Sequence, residues 1–490
     1  MRTARNSQLQ LGELDIANIK LDPRSRDDIP QLLRGLQYLY SDNVLREEIF
    51  QILEKLSPKK ISTGMGRPGM MWWKIFVMGT LRLNLNGDYD RLRELVNHHN
   101  TIRQMLGHGF TDDDKLYSLQ TLKDNVQLFT PEILDEINQV VVGAGLKLKK
   151  KGGLRGRCDS FVVETNVHYP TDINLLFDAM RKTIALTADY ARITQLGGWR
   201  QSQFNIRQIK RAYRAAQQIK RSTSKDHAKK QTQQDAIIQT HQDYIDLARQ
   251  FIQKSKTTLA AEVTNTDLAA ITKALEIKTF IEHGERQTNQ IERRVIKSEK
   301  IPHEEKVFSL FQPHTEWINK GKAGVPVELG LKVCILEATQ GYILHHRVMQ
   351  KETDNQIAID MITETQARYP DFNGCSYDKG FHSPENQIGL AKKLDHLVLP
   401  KKGRCNKQEK ERESSEAFRT SKRKHSAVES GINALEVHGL DKCLDHGTTG
   451  FKRYIALAIV ARNVQKLGSE LIQKTRKQEK RKRDRDKLAA

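Results

Sequence analysis

Three carboxylates stand out for the chemistry they could share. Asp159 lies in the run CDSFVVETNVHY, Asp378 in SYDKGFHSPEN and Glu429 in SAVESGINALEVHGL. Brought to one point, they would offer the hard oxygen ligands that suit Mg²⁺, with Mn²⁺ as a substitute. Two such ions roughly 3.5–4 Å apart can activate a water or a 3′-hydroxyl and stabilise the leaving oxygen of an in-line phosphoryl transfer. Each acid also has an ordinary structural use. Asp159 could cap or pair with Arg157, Asp378 before Lys379 and Gly380 could make a turn, and Glu429 could be a surface glutamate. Glu436, one face with Glu429 at i+7, is the reserve for the third position.

The elements that must position these acids are legible from period and composition. The run FVVETNVHY (161–169) is rich in β-branched and aromatic residues and reads as a strand, with a helix-like stretch starting at Pro170. In VPVELGLKVCI, Val325, Val327, Leu329, Leu331, Val333 and Ile335 alternate at period two, the pattern of a strand with one face on a core. A turn at EATQG and the run YILHHRV complete a hairpin. A helix (354–367), a strand ending in GCSYD, a helix (384–394), the strand HLVLP and a helix carrying SAVESGINAL follow. The order β-β-β-α-β-α-β-α is that of an RNase H-like core, an α+β (α/β) mixed five-stranded sheet flanked by helices. Asp159 then falls on the first strand, Asp378 at the C-terminal end of the fourth and Glu429 on the helix after the fifth. The first and fourth strands are neighbours in that fold.

Around this core the chain reads as helical. Residues 1–150 show apolar positions at helical spacing in MMWWKIFVMGTLRL and YDRLRELVNHHNTIRQML, and Thr130-Pro131-Glu132 marks a helix start. This is expected to be an N-terminal DNA-binding domain, although a packing or dimerisation domain has the same pattern. Residues 151–173 begin the core, 174–300 form a helical insertion, 301–470 complete the core and 471–490 are a basic tail expected to be disordered or a frayed helix. In the insertion, Ile206, Ile209, Tyr213 and Ala216 make an apolar stripe, while Arg207, Lys210, Arg211 and Arg214 offer a cationic side to phosphates. A solvated helix face gives the same pattern. Lys422, Arg423 and His425, just before the third acid, are further candidate DNA contacts.

Composition narrows the partners. A net charge of +21 over 490 residues favours a polyanion, and 38% hydrophobic residues are enough for a core. No apolar run reaches the roughly 20 residues that span a bilayer, and the start MRTARNSQLQLGEL has no signal-peptide core, so a cytoplasmic, nucleoid-associated protein is expected. Cys158, Cys334, Cys375, Cys405 and Cys443 have no zinc-type spacing and fit a reducing compartment. Gly64, Gly66 and Gly69 match G-x-G-x-x-G without a preceding strand, and Gly321-Lys322 lacks the rest of a phosphate loop, so no nucleotide cofactor is expected. His98, His99, His345 and His346 lack the pairing of a metal-and-tyrosine nuclease and read as helix and strand surface residues. Asp172 reads as a first-turn helix acid.

The stretch CDSFVVETNVHYPTD resembles the first-aspartate block of DDE transposases of bacterial insertion sequences, most similar to the ISNCY type. YDKGFHSPEN resembles the second block, and SAVESGINALEVHGL the third. GRPGMM near residue 66 and SLFQPHTEWINKGKAGVPVELGLKV are also similar to this group, so the resemblance covers most of the chain. It implies that Asp159, Asp378 and Glu429 are the catalytic, metal-binding acids. It implies metal-dependent cleavage at element ends and strand transfer into target DNA, with a homo-oligomer on double-stranded DNA because two ends must be joined. Lys422, His425 and Glu436 stand where some of these enzymes have Tyr, Arg and Lys. A DNA-binding regulator without catalysis, or a nuclease of the same fold that cuts without joining, are the alternatives.

Overall fold

The computed structural model describes residues 2–5, 8–9, 12–57, 69–109, 112, 114–149, 153–261, 268–319 and 326–489. Gly64, Gly66, Gly321, Lys322 and Val325 lie outside the described residues, as does the beginning of GRPGMM. Two compact units emerge, one of residues 1–166 and 316–490, the other of residues 167–315.

The first unit is built on a seven-stranded mixed sheet, so the protein is α+β. Its strands are β1 (Leu154–Thr165), β2 (Glu316–Asn319), β3 (Val327–Ala338), β4 (Ile343–Val348), β5 (Phe372–Tyr377), β6 (His396–Val398) and β7 (Lys442–Cys443). β3 is antiparallel to β1, β2 and β4, whereas β5 is parallel to β1 and β6. The two strands beyond the expected five are short. β2 extends the outer edge of β3 beside residues 327–330, and β7 meets β1 only at Glu164 and Thr165. Between β5 and β7, residues Asp159 to Val163 of β1 therefore have no strand partner on that edge.

Sequence alternation understated how deeply β3 is buried. From Val333 to Ala338 every residue is buried, so both faces of the strand are covered and not only the apolar one. The β3–β4 hairpin closes at Gly341, whose φ of +86° suits glycine.

Among the described residues, seven α-helices, from α1 (Asp28–Ser41) to α7 (Pro131–Lys147), precede β1. Thr130 accepts from the Ile133 amide and Pro131 opens the last of them, as its sequence indicates. These helices have no separate core. One apolar cluster runs from Ile16 and Trp72 through Val333 and Phe381 to Leu467, so the helices from α1 to α7 share the interior of the sheet. The helix faces are apolar over more of their circumference than a self-contained small domain needs, as in Trp72–Asn84, where Trp72, Trp73, Phe76 and Leu81 are all buried.

After β4 come α12 (Asp354–Arg368) and α13 (Pro384–Lys393), then α14 (Lys407–Ser414), α15 (Glu416–His425), α16 (Ala427–Leu435) and α17 (Gly447–Ala489). The basic tail is the end of α17, which stays helical to Ala489 with its cations exposed through Asp486. Straight-chain Lys, Arg, Gln and Glu are good helix formers and extend a helix already nucleated on the core.

The second unit is helical and wider than the expected insertion, because β1 ends at Thr165. It contains α8 (Asp172–Ile193), α9 (Ser202–Gln218), α10 (His227–Ala260) and α11 (Leu268–Ile291), packed around Leu176, Ile184, Tyr244, Ile277 and Ile281. The first of these helices starts at Asp172, with Thr171 and not Pro170 at its cap. Asp172 sits in that first turn and also pairs with Arg294 at 3.0 Å. No helix among the described residues is long and apolar enough to cross a membrane.

Candidate carboxylate site

The ladder between β1 and β5 decides where two of the acids stand. Its last rung is Cys158 opposite Tyr377, in parallel register, and the next residues are Asp159 and Asp378. Parallel neighbours lie roughly 4.8 Å apart, so the two aspartates leave their strands side by side. Asp378 then turns the chain: its Oδ1 accepts the Gly380 amide at 2.6 Å and caps the 3₁₀ turn Lys379–Phe381. The turn reading of this residue and its place beside Asp159 hold together. Arg157 does not pair with Asp159; it reaches Glu337 on β3 at 3.3 Å. The Asp159 carboxylate instead accepts its neighbour's amide, Ser160 N–H, at 2.8 Å.

Glu429 lies in the first turn of α16, which packs on β1, and its side chain is exposed. Burial pushes the Asp159 carboxyl up to about 7 against the Ser160 amide, with the negative charges of Asp378, Asp354 and Glu429 adding to the rise. Glu429, and not the reserve Glu436, is thus the helix acid that Asp159 feels.

Asp354 is the residue that sequence reasoning missed. It opens α12 after Thr353, where an acid is accounted for by the positive end of a helix, so nothing in its surroundings marked it. Its Oδ1 accepts from the Ser160 hydroxyl at 2.6 Å and its Oδ2 takes Lys332 Nζ at 3.1 Å. A Cβ at Gly380 would stand 2.9 Å from Asp378 Oδ1 and 3.4 Å from Asp354 Oδ2. Glycine at this position therefore leaves room for two carboxylates to approach the same turn. Lys332 came from the polar alternation of β3 and was visible only as a strand residue.

His425, expected beside Lys422 and Arg423 as a DNA contact, is placed differently from them. Lys422 and Arg423 are exposed on α15, whereas the imidazole is half-buried with Nδ1 3.0 Å from Ser376 Oγ on β5. Burial lowers its pKa, opposed by Asp378 and Glu429, which face it, and aided by Arg157. The ring forms one wall of the acidic site. In the second unit, Arg207, Lys210, Arg211 and Arg214 are all exposed on α9, while Ile209 and Ala216 are buried, which matches the expected two-sided helix.

No family model, curated protein or solved structure matches this chain. The geometry alone carries the reading. Among the described residues, no group of three or more His, Cys, Asp or Glu side chains stands at metal-ligating spacing. What the structure does assemble is a set of like-charged oxygen donors around a half-open strand edge, with Asp159 and Asp378 adjacent and Asp354 and Glu429 within electrostatic reach.

Several of the remaining titratable motifs have structural partners. Cys158 and Cys334 touch through their sulfurs at 3.4 Å in the buried sheet. His99 caps a short helix through the Ile102 amide. His345 is not a surface strand residue: it is buried between Arg368 at 2.7 Å and Glu364 at 2.8 Å. His346 beside it is held neutral, its pKa pushed down to about 3 by burial, the neighbouring ring and Arg368. β4 carries both because its edge is closed by α7 and α12.

Proposed function

We propose that this chain is a DDE-class transposase, cleaving DNA at the ends of an insertion sequence and joining the freed 3′ ends to target DNA. The observation that carries the reading is the register of β1 and β5, which sets Asp159 and Asp378 side by side at the end of their shared ladder. The sheet order β4-β3-β1-β5-β6, with an antiparallel first half and a parallel second half, supports an RNase H-like core. The residue blocks that resemble the family lie on those same elements.

The donors are of the kind Mg²⁺ takes, carboxylate oxygens gathered at the β1 edge, where Asp159 carries the cost of burial and then of neighbouring negative charge. Asp159 and Asp378 would hold the ions, with Glu429 completing the set from α16. When bound, two Mg²⁺ ions, or Mn²⁺ in their place, activate the attacking hydroxyl and neutralise the leaving oxygen. The chain's own residues do the rest. Lys332 neutralises Asp354 and keeps that carboxylate turned to Ser160 beside the site. His425, anchored on Ser376, limits water on one side.

DNA affinity in this reading comes from phosphate contacts. Between Arg200 and Lys230 there are ten Lys and Arg residues and a single acid, Asp226. The cations of α9 are exposed and, among the described residues, pair with no acid. Joining two ends calls for a homo-oligomer on double-stranded DNA in the nucleoid. A catalytically silent DNA-binding regulator is the second reading, and it is favoured by the exposed cations of α9, which can hold phosphates without any metal site.

One assay separates these readings. The protein is incubated with Mg²⁺ or Mn²⁺, a labelled duplex taken from the DNA flanking its coding sequence, and a supercoiled plasmid. Nicking with joining supports the transposase. Nicking without joining indicates a nuclease of the same core, and binding without any metal-dependent product indicates the regulator.

A further inference from the structure

A cavity of about 390 Å³ opens on the same side of the sheet as the acids, between β1, β5, β6 and α15. Side chains alternate along β1, so Arg155, Arg157 and Asp159 share one face. Opposite them on β5 stand Gly374 and Ser376, paired with Arg155 and Arg157. The cavity is thus the upstream continuation of the surface that carries Asp159 and Asp378, and Arg155 lies about 13 Å along the strand from Asp159.

Its chemistry is that of an anion and a flat apolar group together. Arg155 and Lys424 are exposed at its mouth and, among the described residues, neither has an acidic partner. Arg157 is neutralised by Glu337, and the one acid in the lining, Asp395, accepts from Asn373 at 3.3 Å. The floor includes Phe418, Leu397 and Val398. Gly374 keeps the cavity open, since a Cβ there would press on Arg155 and His396 at 3.0 Å. Two unpaired cations over an apolar floor suit a nucleotide of a DNA strand, with phosphate at the rim and base or sugar within.

We propose that this cavity binds a nucleotide of the DNA strand flanking the phosphodiester at the carboxylate site, with Arg155 and Lys424 holding its phosphate. The proposal rests on the DNA-processing reading above, and locates a strand subsite that the three acids do not define. It also gives α15 a role: the helix that brings His425 to the acids lines the flanking nucleotide's site with Ser421 and Phe418.

The test is binding of a labelled single-stranded dodecamer by the full-length protein across a salt series. Arg155→Gln with Lys424→Gln should weaken binding about ten-fold and flatten the salt dependence by about 1.4 in log–log slope, since each phosphate contact on a single strand contributes about 0.7. The charge-matched pair Lys20→Gln with Arg24→Gln, both exposed elsewhere on the first unit, should do neither. Ser421→Trp fills the cavity without changing charge and should weaken binding similarly, with far-UV circular dichroism showing the fold intact. If the wild type binds DNA and both cavity variants behave like the control pair, the subsite is wrong while the DNA-processing reading stands. If the wild type binds no DNA, both fall. Free dAMP should not compete at the oligonucleotide's concentration; equal competition would make this a mononucleotide site and overturn the strand assignment.

Discussion

Asp159 and Asp378 are the first residues past the Cys158–Tyr377 rung, so two acids far apart in the chain become neighbours through a single parallel ladder. The arrangement depends on backbone pairing and not on the side chains themselves. Either carboxylate can therefore be neutralised without moving the strands that carry it.

Asp159→Asn and Asp378→Asn should each abolish metal-dependent nicking while leaving DNA affinity within about two-fold. Charge stabilisation by a metal is worth several kcal/mol, and each 1.36 kcal/mol is tenfold in rate, so the loss is about 100-fold or more. Nicking of supercoiled plasmid in Mg²⁺ and Mn²⁺, beside an anisotropy measurement, checks both halves. Full nicking by either variant would remove that acid from the site.

The raised pKa of Asp159 makes a signed prediction about stability. Its folded value of about 7 exceeds the ordinary carboxyl value of 3.8, so between these limits the folded state binds more protons than the unfolded one. Stability from this group is present at low pH and is lost as pH rises through about 7. Urea unfolding in metal-free buffer should show Asp159→Asn gaining on the wild type between pH 4 and pH 7, by an amount on the order of a few kcal/mol. A constant difference across that range would show that Asp159 titrates normally.

Asp354→Asn keeps an acceptor for Ser160 and removes the Lys332 pair. That pair is partly exposed, so stability should change by less than about 1 kcal/mol. One negative charge beside Asp159 is lost, and its carboxyl should titrate at lower pH. Carboxyl-carbon NMR of Asp159 in the two proteins measures this directly; an unshifted midpoint would place Asp354 outside the group.

On α9, replacing Arg207, Lys210, Arg211 and Arg214 together by Gln should flatten the salt dependence of duplex binding. Four lost phosphate contacts correspond to about 3.6 in log–log slope, at about 0.9 each. The helix should remain folded, since Ile209 and Ala216 and not the cations face its core. An unchanged slope would identify these residues as a solvated face.

Arg82 tests how firmly the N-terminal helices belong to the sheet unit. It is buried, pairs with Asp445 beyond β7 at 2.9 Å, and stacks on Tyr89 with its guanidinium 4.0 Å from the ring centre. Arg82→Ala leaves Asp445 with Arg453 alone, and should cost about 3 kcal/mol, the lower end for breaking a buried pair. Chemical denaturation should show one shifted transition for the first unit. Separate loss of residues 28–147 would contradict the shared core.

The sequence by itself determined the elements. Alternation in VELGLKV, the Thr130-Pro131 start and the run of helix formers after Asp172 each describe local conformation, which propensity and period control over a few residues. It also marked Asp159, since an acid in a β-branched strand is conspicuous. Only the tertiary structure decided which elements share a core, that the helices from α1 to α7 join the interior of the sheet, and that β3 is buried on both faces. It alone revealed Asp354, because a first-turn helix acid looks ordinary until Ser160 and Lys332 are brought against it from other strands. The placing of His425 was hidden for the same reason: a cationic run on a helix does not say which of its members points inward, and the contact with Ser376 does. Long-range register, which no local pattern encodes, turned three separate acids into a candidate site and opened the cavity beside it.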